Sequence, residues 1–149
     1  MALQADFRDL LEVFDEEGVE YLLIGGYAVA FHARPRMTKD LDLWIAASAT
    51  NRSRVERALV RFGAPSKIIE TFRGAAIDEI VYIGSPPVRV DLLQQIPGIE
   101  FEEAYGRRLA GQWEGVPVSV ISREDLIRAK RAAGRPQDLL DAEILEKLG

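Results

Sequence analysis

The segment DLDLWI, residues 40–45, places two aspartates one residue apart in a run that otherwise reads as a buried β-strand. Strand side chains alternate, so Asp40 and Asp42 share one face while Leu41 and Leu43 take the other. Burying an unpaired charge costs several kcal/mol, so two neighbouring carboxylates require a compensating partner. A hard divalent ion with oxygen ligands, most naturally Mg²⁺, removes the repulsion and keeps ligand positions for water or phosphate. Taken alone, the pair also fits a solvated strand end.

The rest of the chain narrows the choice. Its 149 residues suit one domain, 1–149, with a core of about 20–121 and C-terminal helices over about 122–148. There is no cysteine, so neither a disulfide nor a thiolate metal site holds the fold. The N-terminal segment MALQADFRDLLEVF has early acids and no basic leader. The longest apolar run, residues 21–33, is broken by Gly25-Gly26 and too short to span a bilayer. A cytoplasmic protein with no membrane partner is expected. The net charge of −5 argues against a general nucleic-acid coat but leaves room for a local basic groove.

Periodicity supplies a coarse order of elements. Phe7, Leu10, Leu11 and Phe14 predict an amphipathic helix over 4–17, stopped by Gly18. EYLLIGG reads as a short buried strand, YAVAFHA as a short helix and DLDLWIA as the next strand. A helix is expected from Thr50 to Gly63, and strands at Lys67–Thr71, Ile77–Ile83 and Val88–Leu93, with Pro86-Pro87 as a turn. Residues 100–109 read as a helix and GQWEGVPVSVI as a hairpin turning at Gly115. Ser122 is positioned to cap a helix from Arg123, with Asp125 as the reciprocal partner. Gly134 ends that helix, and Pro136 opens another running to Leu148. The class is α/β (α+β), a mixed sheet flanked by helices with a C-terminal helical pair.

Three further features bear on the aspartates. Gly25-Gly26 sits at a strand-to-helix junction, where bare amides and a helix N-terminus can hold phosphate, although such a pair is often only a turn. Asp91 interrupts the apolar strand PVRVDLLQ and is a candidate third ligand, or else an edge-strand charge. The loop between them carries Arg34, Arg36 and Lys39, which suit a triphosphate or simply a solvated loop.

The order of Gly25-Gly26, about a dozen residues, Asp40-Leu41-Asp42 and then Asp91 resembles the DNA polymerase beta-like nucleotidyltransferase superfamily. RMTKDLDLW, with Thr38 two residues before Asp40, belongs to that likeness. The tail LIRAKRAAGRPQDLLDAEIL is similar to small prokaryotic members related to the AbiEii toxin group. The resemblance implies a mixed sheet with helices on one side and a site for two Mg²⁺ ions. Asp40 and Asp42 would hold the nucleotide metal, and Asp91 would complete the catalytic metal and assist deprotonation. Gly25 and Gly26 would give phosphates close backbone access. Many members have Gly-Ser at this point, so here a hydroxyl contact would have to come from elsewhere, such as Tyr27 or Thr38.

The expected activity is transfer of a nucleoside monophosphate from a triphosphate to an acceptor hydroxyl, on an RNA end, a protein or a small molecule. The short chain favours a macromolecular acceptor, a homodimer or a partner protein that completes the site, and a toxin–antitoxin component fits. The alternative is a non-catalytic nucleotide-binding or antitoxin-like module of the same fold. A plain structural domain leaves the aspartate pair unexplained.

The remaining charges divide by chemistry. Lys130 shares an apolar helical stripe with Leu126 and Ile127, and either reaches solvent or, as the resemblance suggests, meets triphosphate. In GRPQDLLD, Asp138 and Asp141 read as a structural ion-pair network, and the role of Arg135 is left open. His32, the only histidine, reads as a helix-end residue rather than a catalyst. Arg54, Arg57 and Arg61 form a stripe that is either solvated or able to grip RNA.

Overall fold

The computed structural model describes residues 5–33, 40–85 and 88–148. Helix α1 (Ala5–Glu16) buries Phe7, Leu10, Leu11 and Phe14, the stripe set by their spacing. Strand β1 (Tyr21–Ile24) is buried at all four positions and runs directly into α2 (Gly25–His32). Strand β2 (Asp40–Ile45) follows, then α3 (Ala49–Phe62) and α4 (Ser66–Arg73). The hairpin of β3 (Val81–Ser85) and β4 (Val88–Leu93) leads to α5 (Phe101–Gly106). A second hairpin, β5 (Leu109–Trp113) and β6 (Val116–Val120), precedes α6 (Arg123–Ala133) and α7 (Pro136–Leu148).

The sheet order is β3-β4-β2-β1-β6-β5. Strand β2 is antiparallel to β1 and parallel to β4, and β1 is parallel to β6, so the sheet is mixed as expected. The aspartate strand β2 therefore lies inside the sheet, where its neighbours fix its register. At the far end of β1 and β2, the buried Asn51 side chain secures that register. Its amide donates to the carbonyls of Ala46 (2.8 Å) and Glu20 (3.0 Å), and its oxygen accepts from the Glu20 N–H at 2.7 Å. Every one of these bonds is to backbone, so Asn51 acts as a rivet between strand ends.

Local signals explain most boundaries. Ser48 and Ser122 cap α3 and α6 by accepting from the N–H three residues on. Gly134 closes α6 at φ 70°, a conformation that favours glycine. Asp125 departs from the expected reciprocal cap: its buried carboxylate accepts from Arg107 at 2.9 and 3.0 Å and from Arg128 at 3.5 Å. A short carboxylate offered a bidentate guanidinium gains more there than from one backbone N–H.

Three sequence expectations are corrected. Lys67–Thr71 is not a strand but the middle of α4. Ile68, Ile69 and Phe72 fall at helical spacing on one face against the core, and that tertiary packing overrides the β preference of the isoleucines. The strand expected at Ile77–Ile83 begins only at Val81, because residues 76–79 form a turn in which the Glu79 N–H donates to the Ala76 carbonyl at 3.0 Å. Helix α5 ends at Gly106, since Leu109 already pairs with Val120.

The arginine stripe of α3 is neither bare nor uncompensated. Arg57 meets Glu17 at 3.2 Å, and Arg61 meets Glu16 at 2.7 Å and Glu17 at 3.0 Å. Arg54 donates to the carbonyl of Gly18. The stripe ties α3 to the end of α1 through exposed pairs that solvent screens. The expected turn at Pro86-Pro87 lies outside the described residues.

Candidate active site

Strand pairing brings the site together. Ile24 stands opposite Asp42 across β1 and β2, while Asp42 stands opposite Asp91 and Asp40 opposite Arg89 across β2 and β4. In-register partners share a face, so the three aspartates gather on one side with Arg89 among them. Gly25, the residue after Ile24, has φ 70°. A Cβ there would lie 2.2 Å from Asp42 Oδ2, so the absence of a side chain is what admits the carboxyl. This gives Gly25 a firmer role than the phosphate access expected of it.

The electrostatics follow from crowding. The Asp42 carboxyl is pushed up to about 7, first by burial, then by the negative charge of Asp91, a hydrogen bond to it and the charge of Asp40; Lys130 opposes the rise. Arg89 compensates the others: it donates to Asp91 at 2.8 and 3.1 Å and to Asp40 at 2.9 Å. Its guanidinium lies 4.8 Å from the centre of the Tyr82 ring.

Beside the carboxylates a cleft of about 270 Å³ opens between the sheet and α6. Gly25, Asp42, Asp91, Lys130, Arg135 and Asp138 supply its polar lining, and Ile96, Pro97 and Leu126 are part of its apolar wall. Lys130 does not escape to solvent: its side chain is only 14% exposed, with Nζ 3.2 Å from Asp141 and 3.5 Å from Asp138. Arg135 donates to Asp138 at 2.6 Å. Burial opposes ionisation of Asp138, yet the Arg135 hydrogen bond and the Lys130 charge hold its carboxyl below the usual range. The expected structural network therefore exists, and the same lysine and arginine face the cleft.

Other candidates fall elsewhere. Arg34, Arg36, Thr38 and Lys39 lie outside the described residues. Gly26 is in the first turn of α2. Tyr27 is buried, with edge contacts to Phe7 at 5.8 Å and Trp113 at 5.1 Å. His32 Nε2 lies 2.6 Å from the Ile121 carbonyl, a structural contact at the end of α2. Sequence reasoning missed Arg89 and left Arg135 without a role in the cleft. The signal for Arg89 was present: in R-V-D it precedes Asp91 by two and so shares its strand face.

Among the described residues, no three Asp, Glu or His side chains are already arranged around one ion position. The donor set nonetheless suits a hard cation. It consists of carboxylate oxygens, the donor chemistry that a hard divalent ion takes. Gly25 leaves room for Asp42 to stand beside Asp91. Asp40, Asp42 and Asp91 are the residues that would hold such an ion.

No curated protein matches the sequence. Among solved structures, ANT(2'')-Ia in complex with adenylyl-2''-tobramycin is similar, with a TM-score of 0.61 and 19% identity over 95% of this chain and 86% of that one. The lincosamide antibiotic adenylyltransferase LnuA, lincomycin-bound, gives a TM-score of 0.63 and 14% identity over 99% of each chain. At such identities the likeness is one of fold. The sequence itself matches, over residues 3–149, the family described as "Nucleotidyl transferase of unknown function (DUF2204)", and to that family the chain belongs.

Proposed function

We propose that the protein transfers a nucleoside monophosphate from a nucleoside triphosphate to an acceptor hydroxyl, with Mg²⁺ held by Asp40, Asp42 and Asp91. The observation that carries this reading is the in-register Asp42–Asp91 pair, admitted by Gly25 and facing a cleft with Lys130 and Arg135 on its wall. When bound, the ions neutralise phosphate charge and lower the pKa of the acceptor hydroxyl. The acceptor oxygen bonds to the α-phosphorus as the α–β phosphoanhydride bond breaks, and pyrophosphate leaves. Asp91, on the cleft wall, takes up the acceptor proton. Lys130 and Arg135 orient the phosphates as fixed positive charges. Gly26 and the loop residues Arg36, Thr38 and Lys39 complete the phosphate contacts.

The neighbours' bound molecules, adenylyl-2''-tobramycin and lincomycin, favour a hydroxyl-bearing small molecule beside the RNA end and protein hydroxyl suggested by sequence. A homodimer or partner protein would extend the acceptor surface of this single domain. A toxin–antitoxin role draws only on the α6–α7 sequence, and growth arrest on expression, relieved by a neighbouring gene, tests it. No described helix is long and apolar enough to cross a membrane; the cytoplasm, where triphosphates abound, is the proposed compartment.

The decisive experiment offers each α-labelled nucleoside triphosphate, with Mg²⁺, to total RNA, total protein and a panel of hydroxyl-bearing small molecules. Label transfer that disappears in Asp91→Ala supports the reading. Triphosphate binding without transfer to any acceptor favours the non-catalytic module.

A further inference from the structure

Arg89 occupies the carboxylate oxygens that an ion would use. Its Nη2 donates to Asp40 Oδ2 at 2.9 Å and to Asp91 Oδ2 at 3.1 Å, and its Nε donates to Asp91 Oδ1 at 2.8 Å. Both oxygens of Asp91 are therefore engaged by one guanidinium. The placement is set by the fold, since Arg89 lies two residues before Asp91 on β4 and opposite Asp40 on β2. Arginine keeps its charge at any relevant pH, so it cannot yield by losing a proton. It can yield only by moving.

The surroundings permit that movement. The Arg89 side chain is 30% exposed, at the rim of the site rather than within the core. The Tyr82 ring beneath it is itself 48% exposed, leaving the guanidinium an apolar face to rest on when it leaves the carboxylates. A dication and a guanidinium repel each other at such short range, so an ion bound at these oxygens drives Arg89 away from them.

We infer that Arg89 is a resident stand-in for the divalent ion: it bridges Asp40 and Asp91 in the metal-free protein and is displaced from them when the ion enters. This rests on the reading of the three aspartates as a metal site. It makes Arg89 a positioning residue, holding Asp40 and Asp91 on one face in the absence of metal at the expense of ion affinity.

Two measurements test it. In calorimetric titrations with Mn²⁺ and no nucleotide, Arg89→Met should bind the ion about tenfold more tightly than wild type, the worth of roughly one lost charge-assisted hydrogen bond. In wild type, the NMR signal of the Arg89 Nε–H, held by Asp91, should shift and lose its protection from exchange as Mg²⁺ is added. Unchanged or weaker Mn²⁺ binding by a folded Arg89→Met protein overturns the inference. So does an Arg89 signal that stays constant while calorimetry reports ion binding. If wild type binds no divalent ion at all, the metal-site reading fails first and this inference with it.

Discussion

Asp42 and Asp91 face each other in register across β2 and β4, and burial together with the Asp91 charge raises the Asp42 carboxyl to about 7. That arrangement sets the pH behaviour of the metal-free protein. The unfolded Asp42 releases its proton near the ordinary value of 3.8, the folded one only near 7. Between those values the folded state binds more protons, so stability falls as pH rises through the window and levels off above it. Asp42→Asn should flatten this decline and be more stable than wild type by about 1–3 kcal/mol near pH 8. Thermal melts from about pH 4 to pH 8 check it, and destabilisation by Asn would mean that the ionised carboxylate is structural.

Metal should reverse the same decline. An ion favours ionised Asp42, so Mg²⁺ should raise the Tm of wild type near pH 8 and leave Asp42→Asn almost unmoved. Melts with and without Mg²⁺, at constant ionic strength, measure the difference.

Gly25→Ala should damage both fold and site. The left-handed backbone alone costs an alanine about 1–2 kcal/mol, and its Cβ would press on Asp42. A lower Tm together with lost Mn²⁺ binding is expected. A variant that binds Mn²⁺ like wild type would show that Asp42 has another rotamer available.

Asp91→Ala and Lys130→Ala should separate kinetically. The first should abolish turnover while triphosphate binding largely survives on Asp40 and Asp42. The second should weaken triphosphate binding, because its charge meets phosphate in ground and transition states alike. Lys130→Ala should also lower stability by about 3 kcal/mol, since it strips a partner from the buried Asp138 and Asp141. Nucleotide titrations beside melts distinguish the two effects.

Arg107→Ala is the control outside the cleft. It removes the bidentate partner of Asp125, a carboxylate only 1% exposed, and leaves Arg128 at 3.5 Å as compensation. A lower Tm with unchanged nucleotide affinity is expected, because a buried carboxylate loses its bidentate donor.

The sequence made the site more legible than the edges of the fold. Asp40, Asp42 and Asp91 break apolar strands, and a charge in such a run announces itself without tertiary information. Gly25 announced a special backbone, but the carboxyl it accommodates could not be read, because that contact depends on β1 and β2 lying side by side. Arg89 was legible only in part: R-V-D places it on the face of Asp91, but its second partner, Asp40 on β2, is 49 residues away. The strand expected at Lys67–Thr71 failed because a β-branched pair, Ile68-Ile69, carries no sign of which period governs it until Phe72 is seen to pack with it.

Asn51 has a bearing on how variants of this chain are diagnosed. It fastens Ala46, four residues and thus roughly 13 Å along β2 from Asp42. It touches nothing in the cleft, yet the β1–β2 alignment that sets Gly25 beside Asp42 is anchored there. A substitution at Asn51 that allowed the strands to drift by a fraction of a residue spacing would mimic a chemical knockout while leaving every reactive group intact. Silence in an activity screen at that position would report misalignment of the scaffold, and second-site changes that re-tether the strand ends would restore turnover without touching an aspartate.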